Sequence, residues 1–270
     1  MEIKWTKELP SDKPWEAEYH GVFFQAKDNI SFCYRDFRDL IYIGEPDLSV
    51  TKLTGCDFGL TLPAEWIITE VKNKRFLLCG KDKAFELTPV PVQCAYDSEL
   101  KNAYRSQYIS PIHYSIDSYT FGNYVIEHSG EWGYLCKEGN QTLWKFSGRG
   151  YLYTDIYRVG NNIFFGTAGQ GGYFYILDIR TGIPILSLKT GGTTQIEQNG
   201  YHCYILTRFP KTSLLCIDLL TGDIVDSQEL PGTANDYGRL RFHGGQIYAV
   251  TFQYKKGRLQ NALMTCVYID

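Results

Sequence analysis

The chain has 270 residues, 44% of them hydrophobic and 15% aromatic, with 27 Lys and Arg against 30 Asp and Glu for a formal net charge of −3. That balance, with the cations scattered, argues against nonspecific binding to nucleic acid or to an anionic membrane, both of which need basic patches. No apolar run approaches the length of a membrane span. The opening MEIKWTKELPSDKPW lacks the apolar stretch of a signal peptide, which predicts a cytoplasmic protein.

Taken in chain order, residues 2–9 (EIKWTKEL) read as one strand. Residues 21–43, 65–87 and 123–147 each read as strand, turn, strand, turn, strand. Residues 173–190 and 213–230 repeat the rhythm, and 239–270 close the chain with Gly244-Gly245 between two strands. Segments 45–62 and 90–120 read as longer loops or a divided unit. No stretch shows sustained helical periodicity, so the expected class is all-β.

Two of these segments are copies. YFYILDIRTGIPILSLKT (173–190) and SLLCIDLLTGDIVDSQEL (213–230) align Asp178 with Asp218, Thr181 with Thr221 and Gly182 with Gly222. An Asp-x-x-Thr-Gly turn has its chemistry built in. The Asp and Thr oxygens accept backbone N–H groups, and Gly takes a positive φ. A unit of about 40 residues with such a turn is one blade of a β-propeller. The chain stops at Val267-Tyr268-Ile269-Asp270, which matches Leu215-Cys216-Ile217-Asp218, so the last blade lacks its outer strand. Residues 2–9, which resemble Thr142–Ser147, supply it. The expectation is a single closed propeller over 1–270, with six blades preferred to seven and the N-terminal strand completing the C-terminal blade.

Residues 150–233 resemble the repeats of PQQ-like, quinoprotein-type β-propellers, in which a strand ending near Leu-Asp is followed by a Thr-Gly turn and a strand carrying Trp. Here that aromatic is present as Trp144 and Trp5 and is replaced by Leu188 and Gln228. The resemblance implies the fold. No residue matches the cofactor-binding motifs of the quinone-dependent members, so no cofactor is expected.

Candidate chemistry is sparse. Gly166–Gly172 is glycine-rich, but a strand rather than a helix follows it, so it reads as a hairpin loop and not a phosphate cradle. His20, His113, His128, His202 and His243 show no metal-ligand spacing. His128, His202 and His243 fall at comparable places in successive units. Carboxylates such as Glu127, Glu131, Asp155 and Asp236 lack a pairing signal, and no Gly-x-Ser-x-Gly elbow occurs. The eight cysteines are dispersed, with no Cys-x-x-Cys. Five lie in apolar strand-like runs and read as reduced, buried thiols.

What remains is a set of loops bearing tyrosine and arginine: Arg105–Tyr108, Tyr114–Tyr119, Tyr151–Arg158 and Asn235–Arg239. Tyr and Arg are enriched among the residues that carry interface energy. The chain therefore reads as a non-enzymatic, monomeric propeller that binds a protein partner through Tyr153, Tyr157, Arg158, Tyr237 and Arg239. An inhibitor or immunity-type protein is its concrete form. The rival readings are a hydrolase or lyase at the channel mouth, and a small-ligand or sugar-binding propeller.

Overall fold

The structure, a computed structural model, describes residues 1–14, 17–26, 29–36, 39–44, 48–54, 66–80, 83–88, 92–107, 118–129, 133–169, 171–193, 195–234 and 239–269. In chain order, β1 (Glu2–Leu9) precedes a sheet of β2 (Ala17–Ala26), β3 (Asn29–Asp36), β4 (Asp39–Gly44) and β5 (Ser49–Leu53). A second sheet holds β6 (Trp66–Val71), β7 (Lys74–Cys79), β8 (Lys83–Glu86) and β9 (Val92–Cys94), and helix α1 (Ser98–Gln107) follows. The third contains β10 (Ser118–Phe121), β11 (Tyr124–Ser129), β12 (Gly133–Glu138) and β13 (Gln141–Ser147). In the fourth, β14 (Tyr151–Leu152) and β15 (Tyr157–Val159) both pair with β16 (Asn162–Ala168), which continues to β17 (Tyr173–Asp178) and β18 (Pro184–Lys189). The fifth is β19 (Ile196–Asn199), β20 (His202–Thr207), β21 (Ser213–Asp218) and β22 (Ile224–Glu229). The last sheet runs β1, then β25 (Arg258–Tyr268), β24 (Gln246–Lys255) and β23 (Arg239–His243).

These antiparallel meanders in series, with the first strand completing the last sheet, are the blades of an all-β propeller. The Thr6 and Thr265 hydroxyls meet at 3.2 Å across the β1–β25 pair. The chain divides into two units. One comprises residues 1–8, 112–254 and 263–270, and the other 9–111 and 255–262.

In the fourth and fifth sheets the second and third strands are covered on both faces, which is why they read as unbroken apolar runs. Every residue of β16 is buried. Its alternate side chains face opposite ways: Ile163 and Phe165 pack with Tyr134, Cys136 and Trp144 of the β10–β13 sheet. Phe164 packs with Cys203, Ile205 and Leu215 of the β19–β22 sheet. The fourth strands alternate between exposed and half-buried residues, as sheet edges do.

The two Asp-x-x-Thr-Gly turns are the same object. Asp178 Oδ1 accepts from the N–H of Arg180 and of Thr181, both at 2.9 Å, and Gly182 N–H donates to the Asp178 carbonyl at 2.8 Å. Asp218 Oδ1 accepts from Leu220 N–H at 2.7 Å and Thr221 N–H at 3.0 Å, and Gly222 N–H returns to its carbonyl at 2.8 Å. Gly182 and Gly222 have φ of 69° and 79°. Burial acts to raise the Asp178 carboxyl, but the Thr181 N–H and hydroxyl and Arg180 outweigh it and hold it below the usual carboxylate value.

Each turn also docks on the preceding sheet. Gly182 lies against the Trp144 ring and Gly222 against Ile185 and Leu186. The Met1 ammonium, at the start of the sheet that follows, meets Asp226 Oδ2. Register explains the series: Trp144, Leu186 and Asp226 pair with Cys136, Ile176 and Cys216, each beside a bulge. The positions equivalent to Trp144 are therefore Leu186 and Asp226, not Leu188 and Gln228. The β12–β13 turn is a shorter hairpin than the Asp-x-x-Thr-Gly turns, so counting from the glycine misplaces the partner.

The second unit has two sheets. Cys33 and Leu40 pack with Trp66, Leu77, Cys79 and Phe85. Helix α1 corrects the expectation that no segment is helical. Asp97 Oδ1 caps it by accepting from Leu100 N–H at 2.9 Å, and Leu100 and Tyr104, one turn apart, bury against Phe76 and Leu78. Two apolar contacts in ten residues are too few to show as a period. Seven cysteines are described, all as thiols and all buried except the half-buried Cys94, and Cys56 lies outside the described residues.

Candidate functional site

The first strands of the first unit's sheets are shorter than the strands behind them, and several of their side chains approach one another. The break between β14 and β15 shapes the site. Thr154 Oγ1 turns inward, accepting from Gly166 N–H at 2.8 Å while donating to the Asp155 carbonyl at 2.8 Å. That inward turn leaves Tyr153 and Asp155, on either side of it, half-buried.

Tyr119 of β10 donates its hydroxyl to Asp155 Oδ1 at 3.2 Å, and burial followed by that carboxylate raises its phenol. Tyr157 stacks on Phe164 at 5.4 Å between centroids. Its phenol is pushed up to about 12, first by burial and then by the charges of Asp155 and Glu197. Glu197 of β19 reaches across to β23, accepting from Phe242 N–H at 3.1 Å with Arg241 Nη1 at 3.9 Å. Burial raises its carboxyl against the pull of those two partners. Gln195 makes a parallel stitch, accepting from Leu240 N–H at 2.7 Å.

Of the residues expected to bind a partner, Tyr153 lies within electrostatic reach of Arg239. Burial lowers the Arg239 guanidinium, and the Tyr153 phenol beside it opposes that shift. Tyr157 sits between Asp155 and Glu197 in the same group. Arg158, on the alternate face, is exposed and points elsewhere: it donates to the Gly160 and Phe121 carbonyls at 2.8 and 3.1 Å and lies over the Tyr124 ring. Tyr237 lies outside the described residues, with the rest of Asn235–Gly238. Arg105 and Ser106 are exposed on α1, and Tyr108 and residues 114–117 are outside the described residues. Sequence reasoning missed Gln195, Glu197 and Arg241. The polar-apolar-polar alternation of Gln195-Ile196-Glu197 was the available signal.

The histidines do not occupy equivalent places. His202 and His243 flank the turns between first and second strands, whereas His128 lies four residues into β11, opposite Tyr134. Among the described residues no three His, Cys, Asp or Glu side chains are grouped to hold a metal ion. A separate cleft of about 520 Å³ opens on the β10–β13 sheet, lined by Ser118, Glu127, His128, Lys145 and Ser147. Glu127 there is already bonded to Lys137 at 2.6 Å.

No family model matches the chain, and no curated protein matches it. Among solved structures it is similar to BamB from Moraxella catarrhalis, with 9% identity over 98% of this chain and 97% of that one and a TM-score of 0.45. It is similar also to the computationally designed protein Ika8, with 12% identity over 92% and 70% of the two chains and a TM-score of 0.38. Dihydro-heme d1 dehydrogenase NirN in complex with DHE gives 13% identity over 88% and 55%, with a TM-score of 0.39. The fold assignment rests on the strand pairing rather than on these likenesses.

Proposed function

We propose that this protein is a non-enzymatic propeller of PQQ-like repeats that binds a protein partner through Tyr153, Tyr157 and Arg239, with Tyr119 and Arg241 beside them. What supports the reading is the cluster on the first strands, where the Tyr119 hydroxyl bonds Asp155, Tyr157 stacks on Phe164 near the Asp155 and Glu197 charges, and Arg239 lies within electrostatic reach of Tyr153. Tyrosine and arginine held half-buried before binding lose little side-chain entropy on contact and present large amphipathic surfaces. The carboxylates nearby are engaged: Asp155 by Tyr119 and Glu197 by Phe242 N–H. That arrangement suits recognition better than proton transfer. An inhibitor or immunity-type role is the specific form proposed.

Affinity capture from the native host with wild type, Tyr157→Ala and Arg239→Ala tests this. One protein retained by wild type and lost by both variants is expected. A partner retained equally by all three removes this face. The cleft beside His128 and Lys145 supports a second reading, a small polar ligand, which a thermal-shift screen of sugars and carboxylates would reveal.

A further inference from the structure

A strip of cations and aromatic rings runs from the β13–β14 connection across two successive sheets of the first unit, at the end where β16 turns into β17. Arg149, between β13 and β14, lies over the Tyr173 ring at 6.0 Å, with its Nη1 3.4 Å from the Tyr173 hydroxyl. Tyr173 is the cross-strand partner of Lys189, so the two side chains stand side by side. Lys189 Nζ lies 4.6 Å from the centre of the Phe209 ring. Beside Phe209, the Arg208 stem crosses Gly191, where a Cβ would come within 2.4 Å of it. The contacts therefore run Arg149, Tyr173, Lys189, Phe209, Arg208 without a gap.

Two properties set this strip apart from ordinary surface. Its three cations are exposed, and among the described residues none of them forms an ion pair, whereas Lys211, in the same loop as Arg208 and Phe209, bonds Glu229 at 2.9 Å. Phe209, 54% exposed, is a large ring left in solvent. The opposite ends of the same sheets carry Asp178, Asp218, Asp223 and Asp226. A chain of net charge −3 thus gathers uncompensated positive charge at one end of its sheets. Cation–aromatic contacts hold the ammonium and guanidinium groups in place without neutralising them.

The geometry points to a docking strip for an acidic protein segment, in which Arg149, Lys189 and Arg208 take carboxylates and Phe209 takes an intervening apolar side chain. Guanidinium forks match carboxylates in a bidentate manner. A nucleic acid fits less well, because the overall negative charge repels a polyanion and the strip offers only a few phosphate contacts. This inference rests on the reading that the protein holds a partner, and it adds that partner's chemistry on residues the first reading does not use.

The test is fluorescence anisotropy on the full chain with three probes. These are a labelled peptide alternating Glu or Asp with Leu, the same peptide with Gln and Asn for the acids, and a single-stranded oligonucleotide. The acidic peptide should bind and weaken as salt rises. The variant carrying Arg149→Gln, Lys189→Gln and Arg208→Gln, with an unchanged melting curve, should bind it about tenfold more weakly or worse. Phe209→Ser alone should also weaken it. Equal binding of the neutral peptide, undiminished binding by the triple variant, or tighter binding of the oligonucleotide overturns the inference. A partner captured through Tyr153 and Arg239 and indifferent to the triple variant overturns the inference alone. Absence of any captured partner overturns the underlying reading.

Discussion

Trp144, on the outer strand of one sheet, donates its indole N–H to the carbonyl oxygen of Ile179 in the turn of the next sheet, at 2.7 Å. The bond joins two blades through a residue that is 7% exposed, and Gly182 lies on the same ring. The repeated turn therefore fastens its sheet to the one before it as well as closing its own hairpin.

Glycine substitutions separate those two roles. A Cβ on Gly182 would lie 2.5 Å from Trp144, whereas one on Gly139, also at positive φ, meets nothing within 4 Å. Gly139→Ala should cost about 1 kcal/mol of left-handed strain. Gly182→Ala adds overpacking and should cost about 2–4 kcal/mol. Denaturant titration measures both, and equal losses would mean that the ring contact carries no weight.

Asp178 gives a pH signature. Its folded carboxyl is held below its usual value, so it stabilises the protein above an unfolded pKa of about 4, and the effect is lost as pH falls through the folded value. Asp178→Asn should lower the melting temperature at pH 7, and the difference from wild type should shrink as pH falls from about 4 through the lower folded value. A constant difference across that range would contradict the assignment.

Glu197 should behave in the opposite sense. Burial raises its folded carboxyl, so its contribution is intact below an unfolded pKa of about 4 and is lost as pH rises through the raised value. Glu197→Gln keeps an acceptor for Phe242 N–H, and its stability relative to wild type should grow from pH 4 to 7. Melting curves across that range check it.

Removing residues 1–9 should destabilise the chain by several kcal/mol, since it strips β1 from β25 and takes away the side chain of Leu9, which is 1% exposed. Trp5 fluorescence, with its ring 6.1 Å from Tyr248, reports the same strand's release in the intact protein.

The turns were legible because they are local, with Asp, Thr and Gly at fixed offsets, and the closure by β1 because each chain end carries half of a pattern seen whole elsewhere. Tyr153 and Arg239 were legible as residue types favoured at interfaces, but their proximity was not, since it arises from sheets far apart in the chain. Glu197 was missed because a half-buried carboxylate on a short strand looks like a solvated one until its bond to Phe242 N–H is seen. The strip through Lys189 and Phe209 escaped notice for a similar reason, each cation being isolated in sequence and joined to its ring only by register.

The most direct test of the central claim is calorimetric titration of the captured partner into wild type, Tyr153→Ala and Arg239→Ala. Each substitution should weaken binding by about 2 kcal/mol or more while leaving the melting temperature near that of wild type. Affinity unchanged in both variants would contradict the claim that this pair anchors a partner.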